Sequence, residues 1–143
     1  MTVLDAFAVV AYLRDEPCAG EVAALFNHGP TTITATNLAE VMDQLIRVTG
    51  SHRDDVLADL ALLTYAGMAI VPVTADDGLA AGQLRARHYH RERCAVSLAD
   101  CTAAAVALGR RVDLATADPA LAAVVRAEGG TVHPLPDGRG VSP

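Results

Sequence analysis

Residues 97–119 read SLADCTAAAVALGRRVDLATADP, and this stretch decides the fold. A Ser-x-x-Asp capping pattern opens an alanine-rich run, which predicts a buried helix over residues 98–108. Apolar and small residues at 112–115 predict a strand. Asp118-Pro119 then matches the start of another helix, with a capping carboxylate followed by proline in the first turn. A buried helix that leads directly into a strand is typical of α/β proteins with a parallel sheet.

The rest of the chain repeats this alternation of strands and helices. Further strands are predicted at residues 2–4, 31–34, 69–73 and 131–133. Further helices are predicted at residues 7–13, 19–27, 37–48, 53–65, 77–88 and 119–127. Strands separated by helices imply right-handed crossovers and a parallel sheet covered on both faces. We therefore expect a three-layer α/β/α domain over residues 1–135, followed by a flexible tail at 136–143.

Composition limits the class of protein. The chain has 143 residues, 52% of them hydrophobic and 20% charged, which is typical of one globular domain with a large core. No segment approaches the roughly 20 apolar residues of a membrane span. The N-terminal segment lacks the basic region of a secretory signal, and the three cysteines have no CxxC spacing. We expect a cytoplasmic protein without a membrane partner.

The residue types of the chain argue against two other classes of α/β protein. All 11 basic side chains are arginine, so no mechanism can depend on a lysine. A phosphoacceptor receiver domain, which is also a parallel α/β fold, needs one. A haloacid-dehalogenase-like phosphatase needs a second acid two residues after the first, and Phe7 stands two residues after Asp5. The net charge of −6 argues mildly against non-specific nucleic-acid binding, although a local cluster of arginines can coexist with it.

Four acidic residues lie where predicted strands end or predicted helices begin: Asp5, Glu40, Asp100 and Asp118. The carboxyl ends of parallel strands meet at one edge of a sheet, so these carboxylates can converge there. Several carboxylates at one point form the kind of site that holds Mg²⁺ or Mn²⁺. Such ions acidify water and neutralise developing charge, which is the chemistry of phosphodiester hydrolysis.

Each of these acids also has a structural interpretation. Asp5 and Asp118 can cap the helices that follow them. Glu40 lies three residues after Asn37, and Asp100 three after Ser97, so both fit a capping box. Taken singly, each pattern is more often structural than catalytic, and only their combination favours a site.

The order of these residues resembles the PIN-domain nucleases, in particular the VapC-type toxins of bacterial toxin–antitoxin pairs. The resemblance spans the chain from Val3 to about Pro134. It implies that the four acids bind the metal and that three polar residues lie beside them: Asn37, Ser97 and Thr116. One departure is that Ala6 and Phe7 follow the first acid, where members often carry Thr or Ser.

The same resemblance implies a function. VapC-type proteins are Mg²⁺- or Mn²⁺-dependent endoribonucleases that leave a 5′-phosphate and a 3′-hydroxyl. They dimerise and are inhibited by a small VapB-type antitoxin, whose tail often presents an arginine to the acidic site. The alternative is a module with the same fold and little nuclease activity, which acts by binding RNA or an antitoxin.

The densest positive stretch covers residues 85–93, from the last turns of the helix predicted at 77–88 into the segment that follows it. It contains Arg85, Arg87, Arg91 and Arg93, with Tyr89 among them. These side chains can contact RNA phosphates or stack on a base. Alternatively, they form an ordinary solvated helix end, where cations complement the helix dipole.

Overall fold

A computed structural model describes all residues, 1–143, as five strands and seven helices. The strands are β1 Thr2–Leu4, β2 Thr31–Thr34, β3 Met68–Val71, β4 Asp113–Thr116 and β5 Val132–Pro134. The helices are α1 Ala6–Leu13, α2 Ala19–His28, α3 Ala35–Asp43, α4 Arg53–Tyr65, α5 Ala75–His88, α6 Leu98–Arg110 and α7 Pro119–Ala127. No helix is both long enough and apolar enough to cross a membrane.

The strands form one parallel sheet in the order β3-β2-β1-β4-β5. The chain adds β2 and β3 outward on one side of β1, and then crosses back to add β4 and β5 on the other. The strand order therefore reverses between β1 and β4. In such sheets, ligands bind beyond the carboxyl ends of the strands at this reversal. Here those ends are Leu4 and Thr116.

Alternate side chains of the strands face two separate hydrophobic layers. Leu4 and Ala115 pack in a cluster with residues of α1 to α4. Their neighbours Val3 and Leu114 pack in a second cluster, with residues of α5, α6 and α7. The central strands β1 and β4 thus bury side chains on both faces of the sheet, as is typical of a parallel sheet. The predicted three-layer α/β/α fold is confirmed.

Most predicted elements match the structure within two residues, and the differences have local causes. The helix predicted at 37–48 begins at Ala35, because Thr34 ends β2 and caps α3 by accepting a hydrogen bond from the amide of Asn37 at 3.2 Å. The same helix widens into a π-helical turn over Gln44–Val48. The strand predicted at 69–73 ends at Val71, because Pro72 has no amide hydrogen to donate.

Leu135 lies at the end of the packed chain. Its side chain is fully buried, and its amide donates to the carbonyl of Thr116 at 2.9 Å. This residue therefore packs with the sheet beside the end of β4. The division into a domain at 1–135 and a flexible tail at 136–143 stays a prediction.

Candidate active site

Asp5 follows the central strand directly and is the most buried of the four acids. Its side chain is 3% exposed, and its Oδ1 accepts a hydrogen bond from the amide of Ala8 at 2.8 Å, which caps α1. Burial, together with the charges of Asp100 and Asp118, raises the pKa of Asp5 to about 7, against the lowering effect of the Thr116 side chain and the Ala8 amide. The structure therefore places a carboxyl group where its ionised form needs a cation.

Asp100 and Asp118 open the two helices quoted at the start. In the predicted capping box of α6, Asp100 Oδ2 accepts from the amide of Ser97 at 2.7 Å, and Ser97 Oγ accepts from the amide of Asp100 at 3.0 Å. Asp118 caps α7 by accepting from the amide of Ala120 at 2.7 Å. Both acids are half-buried. Both acids therefore act as helix caps. The second oxygen of each carboxylate has no hydrogen bond.

Glu40 is not part of a capping box, and this prediction was wrong. Because Thr34 is the cap, Asn37 lies in the first turn of α3 and Glu40 lies one turn further along. Glu40 Oε1 accepts from Gln44 Nε2 at 3.1 Å, while Oε2 is buried and has no partner. Burial and the charge of Asp100 raise the pKa of Glu40. Buried polar atoms are nearly always hydrogen-bonded, so this carboxylate oxygen is one of the few exceptions in the fold.

The four acids interact through their charges at the carboxyl edge of the sheet. The negative charge of Asp100 is close enough to raise the pKa of both Asp5 and Glu40. None of the four forms an ion pair with a basic side chain. No three of the chain's acidic, histidine or cysteine side chains are arranged to coordinate one ion as they stand. The arrangement is therefore a concentration of unpaired negative charge, with free oxygens on Glu40, Asp100 and Asp118.

The polar residues expected beside the acids are placed as follows. Thr116 is fully buried, its Oγ1 accepts from the amide of Asp118 at 3.0 Å, and its side chain lowers the pKa of Asp5. It therefore lies beside two of the acids. Asn37 is fully buried, and its Oδ1 accepts from Thr34 Oγ1 at 2.5 Å. Thr34 was not anticipated, although Thr-x-x-Asn at a strand end is a recognisable capping pattern.

Gln44 is a second residue that the sequence analysis did not single out. Its bond to Glu40 spans one helical turn on the same face of α3, so the i, i+4 spacing was available as a signal. Gln44 holds one carboxylate oxygen of Glu40 and leaves the other, Oε2, without a partner. We infer that it orients Glu40.

Two of the four arginines expected to contact RNA have partners within the protein. Arg85 donates to the carbonyl of Val96 at 3.2 Å, and its guanidinium lies 4.2 Å from the centre of the Tyr89 ring. Arg87 pairs with Glu128 at 3.1 Å.

The remaining two, Arg91 and Arg93, are exposed and pair with no acid. The contribution of this segment to RNA binding stays a prediction, and Arg91 and Arg93 are the side chains free to make it.

Known structures share this fold. The toxin VapC20 from Mycobacterium tuberculosis, which cleaves the sarcin-ricin loop, has a TM-score of 0.67 at 22% identity, over 86% of this chain and 94% of that one. VapBC from Salmonella typhimurium, bound to DNA, has a TM-score of 0.66 at 18% identity, over 92% and 96%. FitAcB from Neisseria gonorrhoeae has a TM-score of 0.65 at 20% identity, over 92% and 96%. At such identities the likeness establishes the fold alone.

Sequence comparison establishes the family. No curated protein sequence matches this chain. The family model of the PIN domain, however, matches residues 2–127. This range contains all four acids and every helix and strand except β5. The chain therefore belongs to the PIN-domain family.

Proposed function

We propose that this protein is a VapC-type toxin that hydrolyses phosphodiester bonds of RNA with the help of Mg²⁺ or Mn²⁺. The observation that carries the proposal is the burial of Asp5 and the raised pKa of its carboxyl group. A buried carboxyl group with a pKa raised to about 7 stands beside two further acids and has no basic partner. The cap of α1 does not require an acid with so high a pKa, and a divalent cation would compensate the charge of its ionised form.

The donor set fits a hard cation. Glu40 Oε2 is buried without a partner, and one oxygen each of Asp100 and Asp118 is free of hydrogen bonds. Carboxylate oxygens are the ligands that Mg²⁺ and Mn²⁺ prefer. We propose that Asp5, Glu40, Asp100 and Asp118 hold the metal, with small side-chain rotations that bring the free oxygens together.

The roles of the residues follow from this arrangement. A bound divalent cation would lower the pKa of water and neutralise charge on the phosphate. Asp5, fixed by the Ala8 amide and Thr116, anchors the site to the central strand. Ser97 fixes Asp100 on α6, and Gln44 fixes Glu40 on α3. The chain thus supplies carboxylate ligands from four different elements, which helps to position a phosphate.

The unpaired negative charge of the four acids also supports an antitoxin as the partner. A cluster of acids without a basic partner suits an arginine from a VapB-type antitoxin, which would compete with metal and substrate. Toxin–antitoxin complexes are among the similar structures. We propose that this protein forms a homodimer within such a complex. A module that only binds RNA or antitoxin is the second candidate, favoured by the absence of a preformed coordinating group.

Metal-dependent thermal stability separates the two candidates. In protein stripped with EDTA, we expect Mn²⁺ at about 100 times its Kd to raise the Tm by roughly 5 to 10 °C, because binding stabilises only the folded state. Asp100→Asn should remove this shift. The matched control is Asp43→Asn, at an exposed acid of α3 that pairs with Arg47. An unchanged Tm in the wild-type protein would favour the binding module.

A further inference from the structure

An aromatic ring is exposed at the end of α5. Tyr89 is the residue that ends this helix, and 44% of its surface is exposed. The guanidinium of Arg85, one turn earlier, lies 4.2 Å from the centre of the ring. This cation covers one face of the ring, so the exposed part of the side chain includes the opposite face. A ring in this arrangement is available to bind a flat ligand group on its open face.

Contacts within the protein hold this ring in place. The Tyr89 amide donates to the carbonyl of Arg85 at 2.9 Å, which closes the last turn of α5. Glu128 ties the same turn to the end of α7, because it contacts both Arg87 at 3.1 Å and His88 at 2.6 Å. A binding residue on such a fixed support loses little conformational freedom when a ligand binds.

Arg85 also joins the ring to the start of α6, where the candidate metal ligand Asp100 lies. Its guanidinium donates to the carbonyl of Val96 at 3.2 Å, and Val96 directly precedes Ser97, the cap that holds Asp100. Burial and the charge of Asp100 raise the pKa of the Cys101 thiol to about 11, and the charge of Arg85 opposes them. The arginine behind the ring and the acid of the site therefore act on the same thiol.

The loop that follows the ring presents two unpaired arginines. His90 and Cys94 exchange two backbone hydrogen bonds of 2.9 Å, which close the loop between them. Arg91 and Arg93 are exposed on this loop, and neither pairs with Glu92 between them or with any other acid. Free guanidinium groups on a closed loop attract phosphate.

The ring and the cations together restrict the ligand. An apolar peptide side chain would use the ring but has no charge for the arginines. A phosphate ion would use the arginines but not the ring. A nucleotide of single-stranded nucleic acid uses both, because its base stacks on an aromatic face and its phosphate binds cations. The base must be unpaired, since a ring cannot reach the face of a base inside a duplex stack.

We propose that Tyr89 is a stacking platform for one unpaired base of the RNA beside the proposed cleavage site, and that Arg91 and Arg93 bind the phosphates next to this base. The inference rests on the proposed nuclease function. Every base has a flat face, so such a platform fixes the position of the strand and tolerates different sequences.

Equilibrium binding in EDTA tests the platform without cleavage. The probe is a short oligouridylate RNA with one 2-aminopurine, a fluorescent adenine analogue that is quenched when it stacks. The wild-type protein should quench this base and bind the probe about 10- to 100-fold more tightly than the same RNA with an abasic residue in its place. In Tyr89→Ala, the quench should be lost and the ratio of the two affinities should fall to roughly 1. Tyr89→Phe keeps the ring and should behave like the wild-type protein.

Control variants separate the platform from general effects. Tyr65→Ala, at an exposed tyrosine that ends α4, should keep the wild-type quench and ratio. Tyr89→Leu, which keeps an apolar side chain without the ring, replaces the alanine variant if that protein does not fold. A double variant, Arg91→Gln with Arg93→Gln, should weaken the binding of both RNAs equally. It should also lower the slope of log Kd against log salt by about 0.7 per phosphate contact.

The outcomes for the platform and for the nuclease function are distinct. No quench by the wild-type protein, or a quench that survives in Tyr89→Ala, would overturn the platform whether or not RNA is cut. A Tyr89-dependent quench in a protein that cuts no RNA would support the platform and refute the nuclease function. With Mn²⁺, Tyr89→Ala should raise the KM for RNA cleavage about 10-fold or more. An unchanged KM would contradict a platform beside the cleavage site.

Discussion

Asp100→Asn should lower the rate of RNA cleavage by about 1,000-fold or more, which corresponds to roughly 4 kcal/mol of lost transition-state stabilisation. Asp100 is the acid whose charge reaches both Asp5 and Glu40, so its loss removes the centre of the proposed metal site. The fold should survive, since asparagine has nearly the same volume and its carbonyl can still accept the hydrogen bond from the amide of Ser97 at the start of α6. The measurement is the single-turnover rate on a labelled RNA with Mn²⁺.

The control for this prediction is an exposed acid on α3. Asp43→Asn removes an exposed carboxylate one turn beyond Glu40, where it pairs with Arg47 at 2.7 Å. Surface ion pairs of this kind contribute little to stability, so this variant should cut RNA at nearly the wild-type rate. Comparable activity in wild-type protein and Asp100→Asn would show that Asp100 is only a helix cap.

Asp5→Asn should abolish cleavage and, at the same time, stabilise the metal-free protein at pH 8. The folded-state pKa of Asp5 is about 7, above its ordinary value of 3.8. Between these values the unfolded chain has released the proton while the folded protein still holds it, so stability falls as the pH rises. The full effect is on the order of 4 kcal/mol above pH 7. Asparagine has no charge to bury, so this loss of stability is absent in the variant. Its side chain can still cap α1.

The free energy of unfolding in urea, measured with EDTA from pH 4 to pH 8, tests this prediction. The free energy of unfolding of Asp5→Asn should exceed that of the wild-type protein at pH 8. The difference between the two proteins should shrink toward pH 4. Asp77→Asn provides a control of opposite sign, because hydrogen bonds from Thr74 lower the pKa of Asp77 and its ionised form stabilises the fold. An Asp5→Asn protein less stable than wild type at pH 8 would identify Asp5 as a cap and nothing more.

The sequence determines most of this fold because its signals are local. Ser97 and Asp100 predict the start of α6, Asp118 predicts the start of α7, and both are confirmed. The start of α3 was wrong because two patterns overlap: Thr34 and Asn37 are both good caps three residues apart. Strand pairing decides between them, since β2 extends to Thr34 and leaves no loop before the helix.

The sequence identifies the residues of the site but not their burial or their hydrogen bonds. That the acids share one edge follows from the alternation of strands and helices. The burial of Asp5 and the unpaired atoms of Asn37 and Glu40 depend on packing between α3, α6 and the sheet, which one-dimensional patterns do not contain. Whether an arginine is free to contact RNA likewise depends on residues distant in the sequence, because Glu128 at the end of α7 pairs with Arg87.

Cleavage of RNA by the purified wild-type protein, free of antitoxin, tests the central claim most directly. Total bacterial RNA is incubated with Mn²⁺, with Mg²⁺ and with EDTA, and the product ends are mapped. Discrete fragments with 5′-phosphates, formed with either metal and absent with EDTA, are the predicted result. Intact RNA under every condition, or fragments that persist in EDTA, would contradict a metal-dependent endoribonuclease.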